Sequence, residues 1–155
     1  MARVSNARNT VVCLLLGAWQ AAHDRASRGG DFLNWQPYPS AEARGRIAAR
    51  ARDELLREAE AAIRAGDQMR ASAAAALYGE QGHAPRGLFD LLLRYAVSED
   101  GALHAEKYYR TVSEEFATTR PAFRWRQLVG LARVTASEFG QPAPGYAEAC
   151  QLLKV

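Results

Sequence analysis

Cysteine is scarce in this chain: two thiols in 155 residues, Cys13 and Cys150, near opposite ends. That excludes a disulfide framework and, with no C-x-x-C spacing, a thiolate zinc site. A reduced, cytoplasmic protein is the expectation. Whether a bridge joins the first and last helices depends on a Cα separation that spacing leaves open. Histidine is equally sparse, at three, so any metal or proton-transfer chemistry rests on very few groups. The sequence leaves the cofactor unknown. The chain has no G-x-S-x-G, no Walker-type glycine loop, no dinucleotide fingerprint and no H-E-x-x-H, which excludes the common nucleotide-dependent and covalent hydrolytic chemistries.

Long apolar runs are missing too. The longest candidate, VVCLLLGAW at 11–19, is about nine residues and too short to span a bilayer. It sits behind Arg3 and Arg8 like a faint secretory core. Its helical spacing continues through Ala22 and Ala26, however, and this predicts a core helix of a soluble protein. There is no long run of one charge sign. With 20 basic against 17 acidic residues and a net charge of +3, the chain is mildly basic, below what a dedicated nucleic-acid binder carries. Eighteen of the 20 basic residues are arginine.

Helix signals fill the chain, and 155 residues suffice for one domain over 1–155 with a real core. The expected class is all-α, six or seven helices around a central apolar one. Asn9 or Thr10 can cap a first helix whose apolar stripe is Val12, Leu16, Trp19, His23 and Ala26. Residues 29–39 form an aromatic and proline-rich loop, in which Phe32, Trp35 and Tyr38 are placed to pin the chain. Trp35 and Tyr38 are the candidate interface for an oligomer or a protein complex. Ser40 caps a long helix over 41–65 with a thin seam of Ile47, Ala51, Leu55, Ala59 and Ala62. Six arginines and five acids on its other faces predict a solvated, peripheral helix laced with ion pairs.

Gly66 and Asp67 read as the end of one helix and the cap of the next. In that next helix ASAAAALY, 71–78, permits close approach. GHAP at 82–85 ends it. GLFDLLLRYAV, 87–97, is apolar nearly all round, relieved by Asp90 and Arg94 at i,i+4, and is the expected centre of the bundle. Further helices cover 101–117 and 121–139, the latter with Pro121 in its first turn. A linker at 140–145 leads to a short closing helix.

The reactive side chains gather in three places. On the 101–117 helix the seam Ala102, Ala105, Tyr109, Val112 and Phe116 puts His104 and Glu106 about 160° apart, so they form no dyad. His104 instead shares a flank with Tyr108 and Thr111, and a pocket there would draw on Tyr108 and the 98–100 turn. Glu80 and His83, at i,i+3, match half of a carboxylate metal motif, but the helix ends there and only one copy exists. Asp100 and His104 are at best a degenerate second half. His83 and His104 start at opposite ends of a helix about 16 Å long, so they are not expected to share a metal. RPAFRWR, 120–126, opens a helix with Arg124, Trp125 and Arg126, where Trp125 either joins the Leu128–Ala132 seam or stacks on a ligand.

Two functions follow as expectations. The first is a helical accessory or ligand-binding subunit acting by contact, with Tyr95, Arg124, Trp125 and Arg126 taking a small or acidic ligand. The second is a small acid-base or metal-dependent enzyme using His83 and His104, with Tyr95, Tyr108 and Arg124 orienting the substrate.

Overall fold

In a computed structural model of the chain, residues 6–28, 34, 36–97, 105–141 and 145–154 are described. Among them are eight helices and no strand: α1 (Ala7–Arg28), α2 (Ala41–Arg46), α3 (Arg52–Arg64), α4 (Gln68–Glu80), α5 (Pro85–Ala96), α6 (Ala105–Thr118), α7 (Pro121–Glu138) and α8 (Tyr146–Leu153). The protein is all-α. Its contacts divide it into two units, 1–36 and 37–155. No described helix is long and apolar enough to cross a membrane.

The first unit holds α1. Its cap is Asn6, whose Oδ1 accepts from the Asn9 N–H at 2.9 Å, three residues before the expected start. Val11, Leu14, Leu15, Leu16 and Trp19 are 56–70% exposed, so the expected core helix does not bury its apolar stripe within its own unit. The helical period was legible, but the identity of whatever covers the stripe is not a local property of the sequence.

In the second unit the expected 41–65 helix is two helices. Ser40 Oγ caps α2 by accepting from the Ala43 N–H at 3.1 Å. The chain then leaves the helix at Ile47, with φ −87° and ψ 111°, and Ile47 is buried at 4%. The carbonyls freed by the break are satisfied by side chains. Arg50 Nη1 donates to the carbonyls of Ile47 and Ala49 at 2.5 and 2.6 Å, and the His83 ring reaches the carbonyl of Arg50 at 2.9 Å. A local signal for the restart was present in Asp53 and Glu54. Glu54 Oε2 accepts from the Ala51 N–H at 3.4 Å, the carboxylate half of a capping box. Beyond the break, Leu55, Ala59, Ala62 and Ile63 are buried, whereas Ala51 is exposed. From Leu55 onward the buried face is the one that the spacing predicts.

The centre of the unit is α4, not the 87–97 helix. Ala71, Ser72, Ala73, Ala74 and Ala75 are all at 0% exposure, and α4 packs between α3 and α7. Alanine lets backbones approach on every side, which makes α4 the inner helix despite its small side chains. Its one buried hydroxyl, Ser72 Oγ, donates back to the Gln68 carbonyl at 2.7 Å. Gly66, with φ +66°, ends α3, and Asp67 Oδ1 caps α4 through the Arg70 N–H at 2.9 Å. By contrast α5 is one-sided. Leu88, Leu91, Leu92 and Tyr95 are buried, while Leu93 and Val97 are 37% and 67% exposed. Asp90 pairs with Arg86 at 2.7 Å rather than with Arg94; Arg94 lies 3.9 Å from Glu60 on α3.

Two tyrosines tie α5 and α6 into the fold and carry a pH dependence. Burial holds the Tyr95 phenol above its ordinary range, and the nearby Glu60 carboxylate, 3.2 Å from its hydroxyl, pushes it the same way. Burial, then the Asp90 charge, raises Tyr109 likewise. An unfolded tyrosine loses its proton near about pH 10. Above that pH the unfolded chain sheds protons that the folded chain keeps, so folding stability is constant below it and falls as pH rises past it. The midpoint of urea unfolding is expected to hold from pH 8 up to that point and to drop above it. Tyr109→Phe should reduce the drop; an unchanged alkaline slope in this variant would refute the assignment.

Candidate functional site: the α4–α7 groove

The side chains of α7 divide by helical position. Leu128, Leu131, Ala132 and Ala136 are buried. Trp125 and Val129, four apart, flank that seam at half-burial, and Arg126, Gly130 and Arg133 repeat at four and three on the next row. Facing this row across α4 are Ala76, Gly79 and Glu80, and the Pro37–Tyr38–Pro39 segment closes one side, with Arg44 of α2 beside it. Together they line an open groove of about 800 Å³.

Its floor is the Trp125 indole. The ring meets Phe116 edge-on at 5.8 Å and Tyr78 at 6.0 Å, and it lies directly on the backbone of α4 at Gly79. A Cβ at Gly79 would stand 2.4 Å from the indole Cδ2, so any side chain there displaces the ring. Gly79→Ala gains about 1 kcal/mol of helix propensity but overpacks by about 1–3 kcal/mol. The variant is expected to be less stable on balance, with a red-shifted tryptophan emission as the indole moves into water. Unchanged stability and emission together would show that the indole has room to spare.

The rim is cationic. Arg133 lies with its guanidinium 4.3 Å from the Tyr38 ring centroid, and its Nε donates to Gln68 Oε1 at 3.3 Å. Arg126 lies 5.1 Å from the ring of Phe123. Arg44 Nη1 donates to Glu80 Oε1 at 2.6 Å, while its Nε is buried with no hydrogen-bond partner among the described residues. Three guanidiniums against one carboxylate leave the groove positive. Stacking on the flat faces of Tyr38 and Phe123 holds two of the forks in place.

Of the residues expected to bind or interact, Tyr38, Trp125 and Arg126 are brought together here; Tyr95 and Arg124 do not line the groove. Tyr95 is 7% exposed and bonded to Glu60. Arg124 lies over the Phe116 ring at 5.4 Å. Arg44 and Glu80 were not expected as ligand residues, whereas Arg133 belongs with Arg126 to the cluster of five arginines (110, 120, 124, 126 and 133) whose local charge of +3 against Glu114 and Glu115 suits an acidic partner. Arg44 and Glu80 are 36 residues apart and meet only through the fold.

The histidine expectations fare differently. His83 packs against Tyr78 at a ring separation of 5.0 Å. Because a carbonyl only accepts, its Nε2 must carry the proton it donates to Arg50. Its ring is a latch on the 47–51 break, and Glu80 faces Arg44 instead of joining it. His104, Trp35, Asp100 and the 98–100 turn lie outside the described residues. Tyr108 is 45% exposed on α6. His23 stacks on Trp19 at 5.2 Å within α1. Among the described residues no three His, Cys, Asp or Glu side chains gather in a way that could hold a metal. Compared with protein-family models, curated proteins and solved structures, the chain matches none.

Proposed function

We infer that this chain is a helical binding subunit that acts by contact, and that its α4–α7 groove takes a short acidic segment of a partner protein. The observation that carries the reading is the pairing of an aromatic floor, Trp125, with the guanidinium forks of Arg126 and Arg133 in one open channel. Planar forks suit carboxylates, and a half-buried indole backed by Gly79 offers a preformed seat for an apolar or aromatic side chain. A ligand site for a small molecule encloses most of its ligand; an open groove fits an extended segment that remains solvated on one side.

The test uses the full chain and a fluorescently labelled peptide of alternating Asp and Glu with one central Phe. Binding is expected with a Kd on the order of 10 μM, about −7 kcal/mol, and it should weaken as salt screens the exposed forks. Equal affinity for the same peptide with lysine in place of every acid would overturn the reading.

A further inference from the structure

Among the described residues, the apolar side of α1 is an exposed face that the groove does not use, and its residues are distributed unevenly along the helix. The first half carries the bulk: Val11, Val12, Leu14, Leu15, Leu16 and Trp19, 46–70% exposed. The second half continues the same face with Ala18, Ala22 and Ala26, all exposed. Projected down the axis, Val11, Leu15, Ala18, Trp19, Ala22 and Ala26 fall within an arc of about 100°. One half of the helix presents knobs and the other presents space for them.

We propose that α1 pairs antiparallel with the α1 of a second copy of this chain, the 11–19 half of each helix lying on the 18–26 half of the other. A two-fold axis beside Ala18 sets Leu15 opposite Ala22 and Val11 opposite Ala26 of the mate, so large side chains meet small ones along the whole contact. A parallel pair would set Leu15 against Leu15 and leave alanine against alanine, with a gap at one end. Of the large side chains, Val11, Leu15 and Trp19 lie in that arc with Val12 beside it, whereas Leu14 and Leu16 point outside it; the first four expose roughly 400 Å² per copy, an ordinary patch for a monomer. Two copies bury about 800 Å² together, the size of a weak, concentration-dependent interface. Antiparallel packing also opposes the helix dipoles favourably. The far side of α1 argues for this occupant over a lipid surface. It carries Gln20 and Asp24, hydrogen-bonded to each other at 3.0 Å, and one cation, Arg28, where a surface-lying helix carries rows of Lys and Arg.

The test is sedimentation equilibrium of the full chain. The expected mass is twice the 17.0 kDa of one copy, and Leu15→Glu, at an exposed position, should return it to one copy with an unchanged circular dichroism spectrum. Orientation is read by oxidation in a Cys13→Ser, Cys150→Ser background. Two copies of residue 15 stand about 10 Å apart along an antiparallel pair, beyond the roughly 7 Å Cα limit of a disulfide. Neither Leu15→Cys nor Ala22→Cys alone should cross-link, while the double variant should. A single-copy mass for the unaltered chain at high micromolar concentration would overturn the proposal, as its own 37–155 unit or a membrane would then be the cover. So would a dimer that survives Leu15→Glu, or cross-linking by either single cysteine.

Discussion

Tyr78→Ala is expected to lower the stability of the 37–155 unit by about 3–5 kcal/mol, the cost of removing a large aromatic from a closed core. Tyr78 is 1% exposed. Its ring is the junction of three elements: it meets His83 at 5.0 Å and Trp125 at 6.0 Å, and its hydroxyl donates to the Ala84 carbonyl at 3.0 Å. That bond holds the α4–α5 turn, where Gly82 adopts φ +72°. Gly87 leaves the hydroxyl its room, since a Cβ there would stand 2.7 Å from it. For a chain of this length each kcal/mol shifts the melting midpoint by about 2–4 °C, so a fall of about 10 °C is the expected reading. Tyr78→Phe keeps the ring and loses one hydrogen bond, about 1 kcal/mol. If the Phe variant fell as far as the Ala variant, the hydroxyl rather than the packed ring would be holding the junction.

Reversing two charges on the groove, Arg126→Glu with Arg133→Glu, is expected to weaken acidic-peptide binding by about 30- to 100-fold, or about 2–3 kcal/mol. Each fork loses a charge-assisted hydrogen bond, worth about 1.5–3 kcal/mol when fully formed. Exposure reduces that to about 1 kcal/mol apiece, and repulsion between the new carboxylates and the peptide supplies the remainder. The fold should survive, because the stacking lost at Tyr38 and Phe123 is worth about 0.5–1 kcal/mol per exposed pair. Arg120→Glu with Lys107→Glu separates local contact from bulk charge. Arg120 also lies over Phe123, at 5.3 Å, but neither residue lines the groove. This second pair should change affinity by less than about threefold, since screening removes most of its reach. Equal losses from the two pairs would reduce the groove to a diffuse electrostatic effect.

What could be read without the fold was whatever one or two helical turns decide. Ser40, Asp67 and Pro121 mark helix starts because caps bond within three residues, and Gly66 marks an end because its positive φ is a local requirement. The faces of α3 and α6 followed from their three-four spacing, down to buried Leu55, Ala59, Ala62 and Phe116. The aromatic and basic character of α7 is equally legible, since Trp125 and Arg126 are neighbours in its second turn.

Tertiary structure decided what depends on partners distant in sequence. The break at 47–51 persists because Arg50 and His83 take the stranded carbonyls, and His83 comes from 33 residues away. The centre passed to α4 because rank in the core follows closeness of approach, which alanine permits, and not side-chain hydrophobicity, which favoured 87–97. The groove exists because Gly79 admits the Trp125 indole and because Arg44 finds Glu80 across the bundle. Periodicity specifies which side of a helix is apolar. Only packing specifies what that side meets.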